Sequence, residues 1–231
     1  MKIKNRTLCA ALALCTAFTL TAVDAAVILS TDATRIDDNA GGGVGSLDPD
    51  GVGDSLPGSA NMLVGYFDNG AVEDMVSVWV FQMTGFSSGG DISNADFSVE
   101  QTVNTGTLAT DVHVIRTSSS ASFLTTDYQT TAATLMSNFS TSVGLQSLDA
   151  GGQSALTSYL QSNWVENDYV FIGVKNQTTP TGLTNENGDA GNFRIFTSGA
   201  NGGSLTLTVV PEPSSSALMG LGALALLRRR R

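Results

Sequence analysis

Met75-Val76-Ser77-Val78-Trp79-Val80-Phe81-Gln82-Met83 is the run that decides the fold class. Val76, Val78 and Val80 share one parity; Met75, Trp79, Phe81 and Met83 share the other. Side chains alternate across a strand, so a segment apolar at both parities is a strand covered on both faces. Asp68-Asn69-Gly70 before it is a turn signal, because Asn-Gly tolerates positive φ, and Gly85 to Gly90 after it is a loop. Asp168 to Lys175, with Tyr169-Val170-Phe171-Ile172-Gly173-Val174 inside it, is a second central strand of the same kind.

Working outward, Ala26 to Ser30, Asn61 to Phe67, Asp111 to Thr117 and Asn192 to Thr197 are further strands. Ala95, Phe97, Val99 and Val103 line one face of another, with Asp96, Ser98 and Glu100 opposite. Gly203 to Val210 alternates with Leu205, Leu207 and Val209 inward and Ser204, Thr206 and Thr208 outward. Leu156, Tyr159, Leu160 and Trp164 fall on one face of a short helix over Gln153 to Asn163. Phe123, Leu124, Tyr128, Leu135, Met136 and Phe139, in a Ser/Thr-rich excursion, cover one end of the core. Asp32 to Ser59 is polar and glycine-rich, and reads as a long loop. About eight strands with no βαβ alternation predict an all-β, antiparallel β-sandwich of jelly-roll type with one short helix.

The two ends differ from this body. Lys2, Lys4 and Arg6 precede an apolar stretch from Leu8 to Val23, and Val23-Asp24-Ala25 offers the small residues a signal peptidase reads. Residues 1–25 are therefore a signal peptide cleaved between Ala25 and Ala26. Both cysteines, Cys9 and Cys15, lie within it, and bulky Leu8 and Leu14 before them argue against lipidation. The mature protein has no disulfide and no thiol chemistry. At the other end Pro211, Glu212 and Pro213 lead into an apolar stretch from Ala217 to Leu227, closed by Arg228, Arg229, Arg230 and Arg231. The prolines hold the chain extended, and the arginines stay on the cytoplasmic side of a bilayer. The apolar stretch is short of the roughly 20 residues of a permanent span and suits a temporary stop. Residues 26–208 form the folded domain and 209–231 the tail.

Between the processed ends the only basic residues are Arg35, Arg116, Lys175 and Arg194, against nineteen acidic ones, a net charge of −15. That excludes nucleic acid as a partner and favours solubility and cation binding.

Pro-Glu-Pro, a short apolar helix and a terminal arginine cluster, in that order at the chain end, resemble the PEP-CTERM sorting signal of Gram-negative bacteria, a tail also described as an ice-binding protein C-terminal domain. The resemblance implies transient inner-membrane anchoring, processing by an exosortase and delivery to the cell surface or an exopolysaccharide matrix. Trp79-Val80-Phe81-Gln82-Met83, Ile92 to Phe97, the Asp111 to Ile115 strand and the Gln153 to Trp164 helix leading into Asp168 to Ile172 are similar in order to DNRLRE-type modules. Those are β-sandwiches akin to carbohydrate-binding jelly rolls, so this second resemblance implies a glycan-binding fold, with no ligand residue carried over.

Catalytic signals are sparse. The single histidine, His113, sits in a strand between Val112 and Val114, and no Gly-x-Ser-x-Gly elbow occurs. One histidine and no mature cysteine support no zinc site, and Gly41 to Gly45 lacks the lysine and helix of a phosphate loop. Asp48, Asp50 and Asp54, spaced by glycines and Pro49, are oxygen ligands on a bending backbone and a candidate site for structural Ca²⁺; no cofactor is otherwise required. The expectation is an exported, non-catalytic surface or matrix protein, with polysaccharide as the candidate ligand and signal peptidase and exosortase as export partners. The alternative is a secreted carbohydrate-active hydrolase using paired carboxylates. Ice binding rests on the name of the tail alone, because Thr206 and Thr208 make too small a flat face.

Overall fold

The computed structural model describes residues 24–39, 52–58, 62–68, 72–86, 88–139, 142–177 and 193–209. Twelve strands run in chain order: β1 (Asp24–Leu29), β2 (Asp32–Asn39), β3 (Ser55–Gly58), β4 (Met62–Asp68), β5 (Val72–Gln82), β6 (Ile92–Thr105), β7 (Thr110–Ser118), β8 (Ala133–Met136), β9 (Gly144–Ser147), β10 (Tyr169–Asn176), β11 (Phe193–Phe196) and β12 (Gly203–Val209). Among the described residues one α-helix, α1 (Ala150–Asn163), precedes β10.

Among the described residues the structure is mostly β, the strand pairings given below are antiparallel, and one α-helix is present, in line with the sequence. The strands do not separate into two sheets. They form one hydrogen-bonded sheet in the order β1-β12-β6-β11-β4-β5-β10-β7-β8, curled into a half-barrel, with β2 also on β5, β3 on β2 and β9 on β6. The reason is β5. Its eleven residues pair with β2 along one edge. Along the other edge they pair with β4 from Val72 to Met75 and with β10 from Ser77 to Gln82. The sheet forks at Ser77, whose hydroxyl donates to the Leu63 carbonyl at 2.8 Å. One strand long enough to serve two arms keeps the sheet continuous while the arms curl over a shared core.

Both faces of β5 are buried, as its sequence requires. On the inner face the Trp79 ring lies 5.7 Å from Phe97 of β6 and 5.8 Å from Phe196 of β11, and Phe81 packs edge-on against Phe97 at 6.0 Å. Leu205 and Leu207 of β12 and Val170, Ile172 and Val174 of β10 complete this core. Helix α1 joins the arms: Leu156 and Leu160 enter the core, and its Thr157 hydroxyl accepts the Ala95 N–H at 2.8 Å. It begins three residues before the predicted Gln153, where the Asp149 side chain caps it by accepting the Gly152 N–H at 2.7 Å.

On the outer face Ile36, Val76, Val78, Val80, Ile115 and Phe171 form a second cluster, closed by Tyr128 and flanked by Phe123. The excursion after β7 thus divides. Phe123 and Tyr128 cover this outer cluster, whereas Leu135 and Phe139 join the inner core. The largest departure from expectation is β2, where the sequence reads as loop. Ile36 and Ala33 are apolar anchors there, and Asp37 and Asp38 are buried because other side chains partner them.

Candidate functional site

The polar groups that the fold buries gather on the outer face of the sheet, under the segment from Phe123 to Thr131. The Tyr128 hydroxyl donates to Asp74 Oδ2 at 2.6 Å and also lies within hydrogen-bond reach of Asp38. Asp74 and Asp38 are 3% and 0% exposed. Burial, helped by the neighbouring Asp38 charge, pushes the Asp74 carboxyl up to about 7 against the lowering effect of the Tyr128 and Met75 hydrogen bonds. Burial likewise raises the Tyr128 phenol, and both carboxylates add to the effect.

The four cations between the two ends are all used inside the fold. Arg35 pairs with Asp37 through Nε at 2.5 Å and Nη2 at 2.6 Å. Arg116 grips Asp127 through Nε at 2.5 Å and Nη2 at 2.9 Å while its guanidinium lies 3.8 Å over the Phe171 ring. Lys175 donates to the Tyr128 and Thr130 carbonyls at 2.5 and 2.7 Å, and burial pushes its ammonium down to about 8. Arg194, on β11, donates to the carbonyls of Thr105 at 2.6 Å and Leu108 at 2.7 Å in the β6–β7 connection. Arg116 and Lys175 therefore clamp the covering segment to the sheet, and Arg194 holds the crossover between its arms.

Beside Arg194 is a cavity of about 300 Å³ bordered by Asn104, Gly106, Thr107, Ala109 and Asn138. Neither this cavity nor the buried carboxylates were found from sequence. Their partners are dozens of residues apart, and the one available signal was the scarcity of cations, which makes each of the four worth locating.

Of the residues singled out by sequence, Asp54 is exposed and its N–H donates to the Asp37 carbonyl at 2.9 Å; Asp48 and Asp50 lie outside the described residues. Among the described residues no group of three His, Cys, Asp or Glu side chains could hold a metal ion. His113 is half-buried on β7, and burial and the nearby Lys175 charge lower its imidazole. Trp79 is fully buried; Trp164 is partly buried and donates its indole N–H to the Phe86 carbonyl at 2.9 Å. Ala25 and Ala26 fall at the start of β1. Pro211, Glu212, Pro213 and Arg228 to Arg231 lie outside the described residues. Among the described residues no helix is long and apolar enough to cross a membrane, and the apolar stretch from Ala217 to Leu227 is outside them.

A search of curated protein sequences finds no match. Among solved structures the chain is similar to the GH31 alpha-xylosidase from Xanthomonas citri, at 8% identity and a TM-score of 0.22, over 82% of this chain and 18% of that one. The chain thus spans less than a fifth of that enzyme, and the likeness is too slight to carry an argument about fold or activity. Residues 209–231 match the family model described as PEP-CTERM protein-sorting motif. The match covers the tail and leaves the identity of the folded domain open. Pro211-Glu212-Pro213, the apolar stretch and the arginine cluster all lie within it, and they mark an exported chain sorted by an exosortase.

Proposed function

We propose that the chain is a non-catalytic protein of the cell surface or extracellular matrix of a Gram-negative bacterium, whose folded domain binds polysaccharide. The sorting motif at 209–231 carries this reading. Signal peptidase removes residues 1–25, the apolar tail holds the chain transiently in the inner membrane, and the exosortase releases the domain to its destination. The domain serves the same role as the DNRLRE-type sandwiches it resembles in sequence, with the curled sheet as its scaffold. Calcium at Asp48, Asp50 and Asp54 is a structural accessory.

The placement of the buried carboxylates speaks against the hydrolase alternative. A hydrolase of the alternative kind needs two carboxyls about 5–10 Å apart in an open cleft. Asp38 and Asp74, which interact, are sealed beneath Tyr128. With all four cations turned inward, the exterior of the domain is acidic, so the favoured glycan is neutral, or acidic and bridged by a divalent cation.

The test is localisation of the full chain in the producing organism, followed by retention of the exported protein on that organism's exopolysaccharide with and without a chelator. Replacing Pro211-Glu212-Pro213 by alanines is expected to leave the protein in the inner membrane. Normal delivery of that variant would overturn the sorting role. Absence of retention in both conditions would overturn glycan binding and leave sorting intact.

A further inference from the structure

Both ends of the folded domain leave it at one place. β12 ends at Val209, which pairs with Ile92 at the start of β6. β1 neighbours β12, and the N–H of Ser30, the residue after β1, donates to the Gly203 carbonyl at 2.9 Å, where β12 begins. From that point β12 extends only toward Val209. β1 therefore runs antiparallel along it and starts beside Val209, about 4.8 Å away across the pair. The apolar stretches Leu8 to Val23 and Ala217 to Leu227 thus both join the domain at this end of the sheet.

Helix α1 points the same way. Its Thr157 hydroxyl accepts the Ala95 N–H at 2.8 Å, and one turn on the Gln161 side chain donates to the Ile92 carbonyl at 2.7 Å. The helix runs antiparallel to β6, so the residues after Gln161 pass beyond the sheet end. There the Trp164 ring lies 5.6 Å from Phe86, and its indole N–H donates to the Phe86 carbonyl at 2.9 Å. Both rings are partly buried against the core, and Val165 beside them is 54% exposed.

The tether is short. Seven residues, 210–216, separate Val209 from the apolar stretch, a reach of at most about 25 Å. The eleven residues from Ala217 to Leu227 would cover about 16 Å as a helix, against roughly 30 Å of hydrocarbon. With the arginines kept at the cytoplasmic side, that shortfall draws the preceding residues toward the bilayer and shortens the tether further.

We propose that, while the tail or the signal peptide is attached, this end of the domain rests on the inner membrane, with Phe86, Trp164 and Val165 in the layer between headgroups and acyl chains. An apolar ring whose N–H is already bonded suits that layer. Asp91, Glu166 and Asp168 flank these groups in the chain, so anionic headgroups repel this end and the contact depends on the tether. Processing ends it, and the released domain leaves the surface. The inference rests on membrane anchoring of the unprocessed chain and is independent of glycan binding.

The experiment uses the chain's two tryptophans. Trp79 is fully buried, so Trp164 is the one that a quencher in lipid can reach. The full chain is reconstituted in phosphatidylcholine vesicles carrying a spin label at the top of the acyl chain, and the exported, processed protein is added to the same vesicles. Quenching of tryptophan emission is expected in the full chain and not in the processed protein. Trp164→Phe, which keeps a ring against Phe86, is expected to abolish the quenching. Val165→Asp, at a largely exposed position that spares the fold, is expected to lower it. A full chain that sediments with the vesicles but is not quenched overturns this placement and leaves the anchoring intact. Quenching of the processed protein, persistence in Trp164→Phe, or an unchanged signal in Val165→Asp would do the same. A full chain that does not sediment with the vesicles overturns the anchoring, and this placement with it.

Discussion

Asp74 holds the most perturbed carboxyl beneath the covering segment, and its position fixes a pH dependence. Its ordinary value is 3.8 and its folded value about 7, so between these the folded state binds more protons than the unfolded chain. The contribution is fully present below about pH 4 and is lost as pH rises through 7, to a total of about 4 kcal/mol from a shift of roughly three units. Lys175 acts in the opposite sense. Its folded value of about 8 lies below the ordinary 10.5, so its burial penalty is relieved as pH rises from 8 to 10.5. Asp74→Asn keeps an acceptor for the Tyr128 hydroxyl and removes the ionisation. We expect the variant to match the wild type near pH 4 and to exceed it by up to about 4 kcal/mol above pH 7, measured by urea unfolding across pH 4–9. A constant difference across that range would place the proton elsewhere. Asp74 could not be read from sequence, where it is one polar residue before an apolar run. Its role depends on Tyr128, 54 positions away.

At the scale of elements, the segment from Phe123 to Thr131 is held by charge as much as by apolar contact. Asp127 accepts from Arg116 twice and from the Leu124 N–H at 3.0 Å. Asp127→Asn leaves Arg116 with neutral acceptors only, the new amide oxygen and the Ser122 carbonyl, and a loss of about 2–3 kcal/mol is expected, smaller than for a fully buried pair because Arg116 keeps some solvent contact. The distinguishing readout is limited proteolysis: the variant is expected to be cut within this segment while the sheet stays intact. Gly53 tests the same seam from the other side. A Cβ there would meet the Thr125 carbonyl oxygen at 2.3 Å and Ile36 Cγ2 at 2.9 Å. Gly53→Ala should therefore cost about 1–3 kcal/mol by overpacking, read as a lowered Tm; an unchanged Tm would mean the seam opens freely. The central strands were legible because β5 and β10 are apolar at both parities, a pattern that depends on no partner. β2 was not, since Asp37 and Asp38 look solvated until Arg35 and Tyr128 are seen beside them. The start of α1 was hidden by Gly151 and Gly152, although Asp149 is an N-cap residue that could have marked it. The fork at Ser77 depends on which strands share an edge of β5, and no local pattern encodes that.

Over the whole molecule the governing fact is that the segment between the two ends, of net −15, spends all four of its cations internally. The outer surface then has no positive groups to pair with its acids, and self-repulsion opposes compaction. Screening relieves this, so raising NaCl from 10 to 200 mM should raise Tm, by about 2–4 °C for each kcal/mol relieved in a domain of this size. Calcium separates general screening from a site. If Asp48, Asp50 and Asp54 chelate the ion, millimolar CaCl₂ raises Tm beyond NaCl of matched ionic strength, because binding to the folded state adds a mass-action term. Asp54→Asn should then remove the excess while leaving the NaCl response unchanged. Asp54 suits this test because its side chain is exposed while its N–H donates to the Asp37 carbonyl on β2, so the substitution changes the ligand set and spares that backbone bond. Equal effects of the two salts would assign the whole response to screening and drop the calcium site.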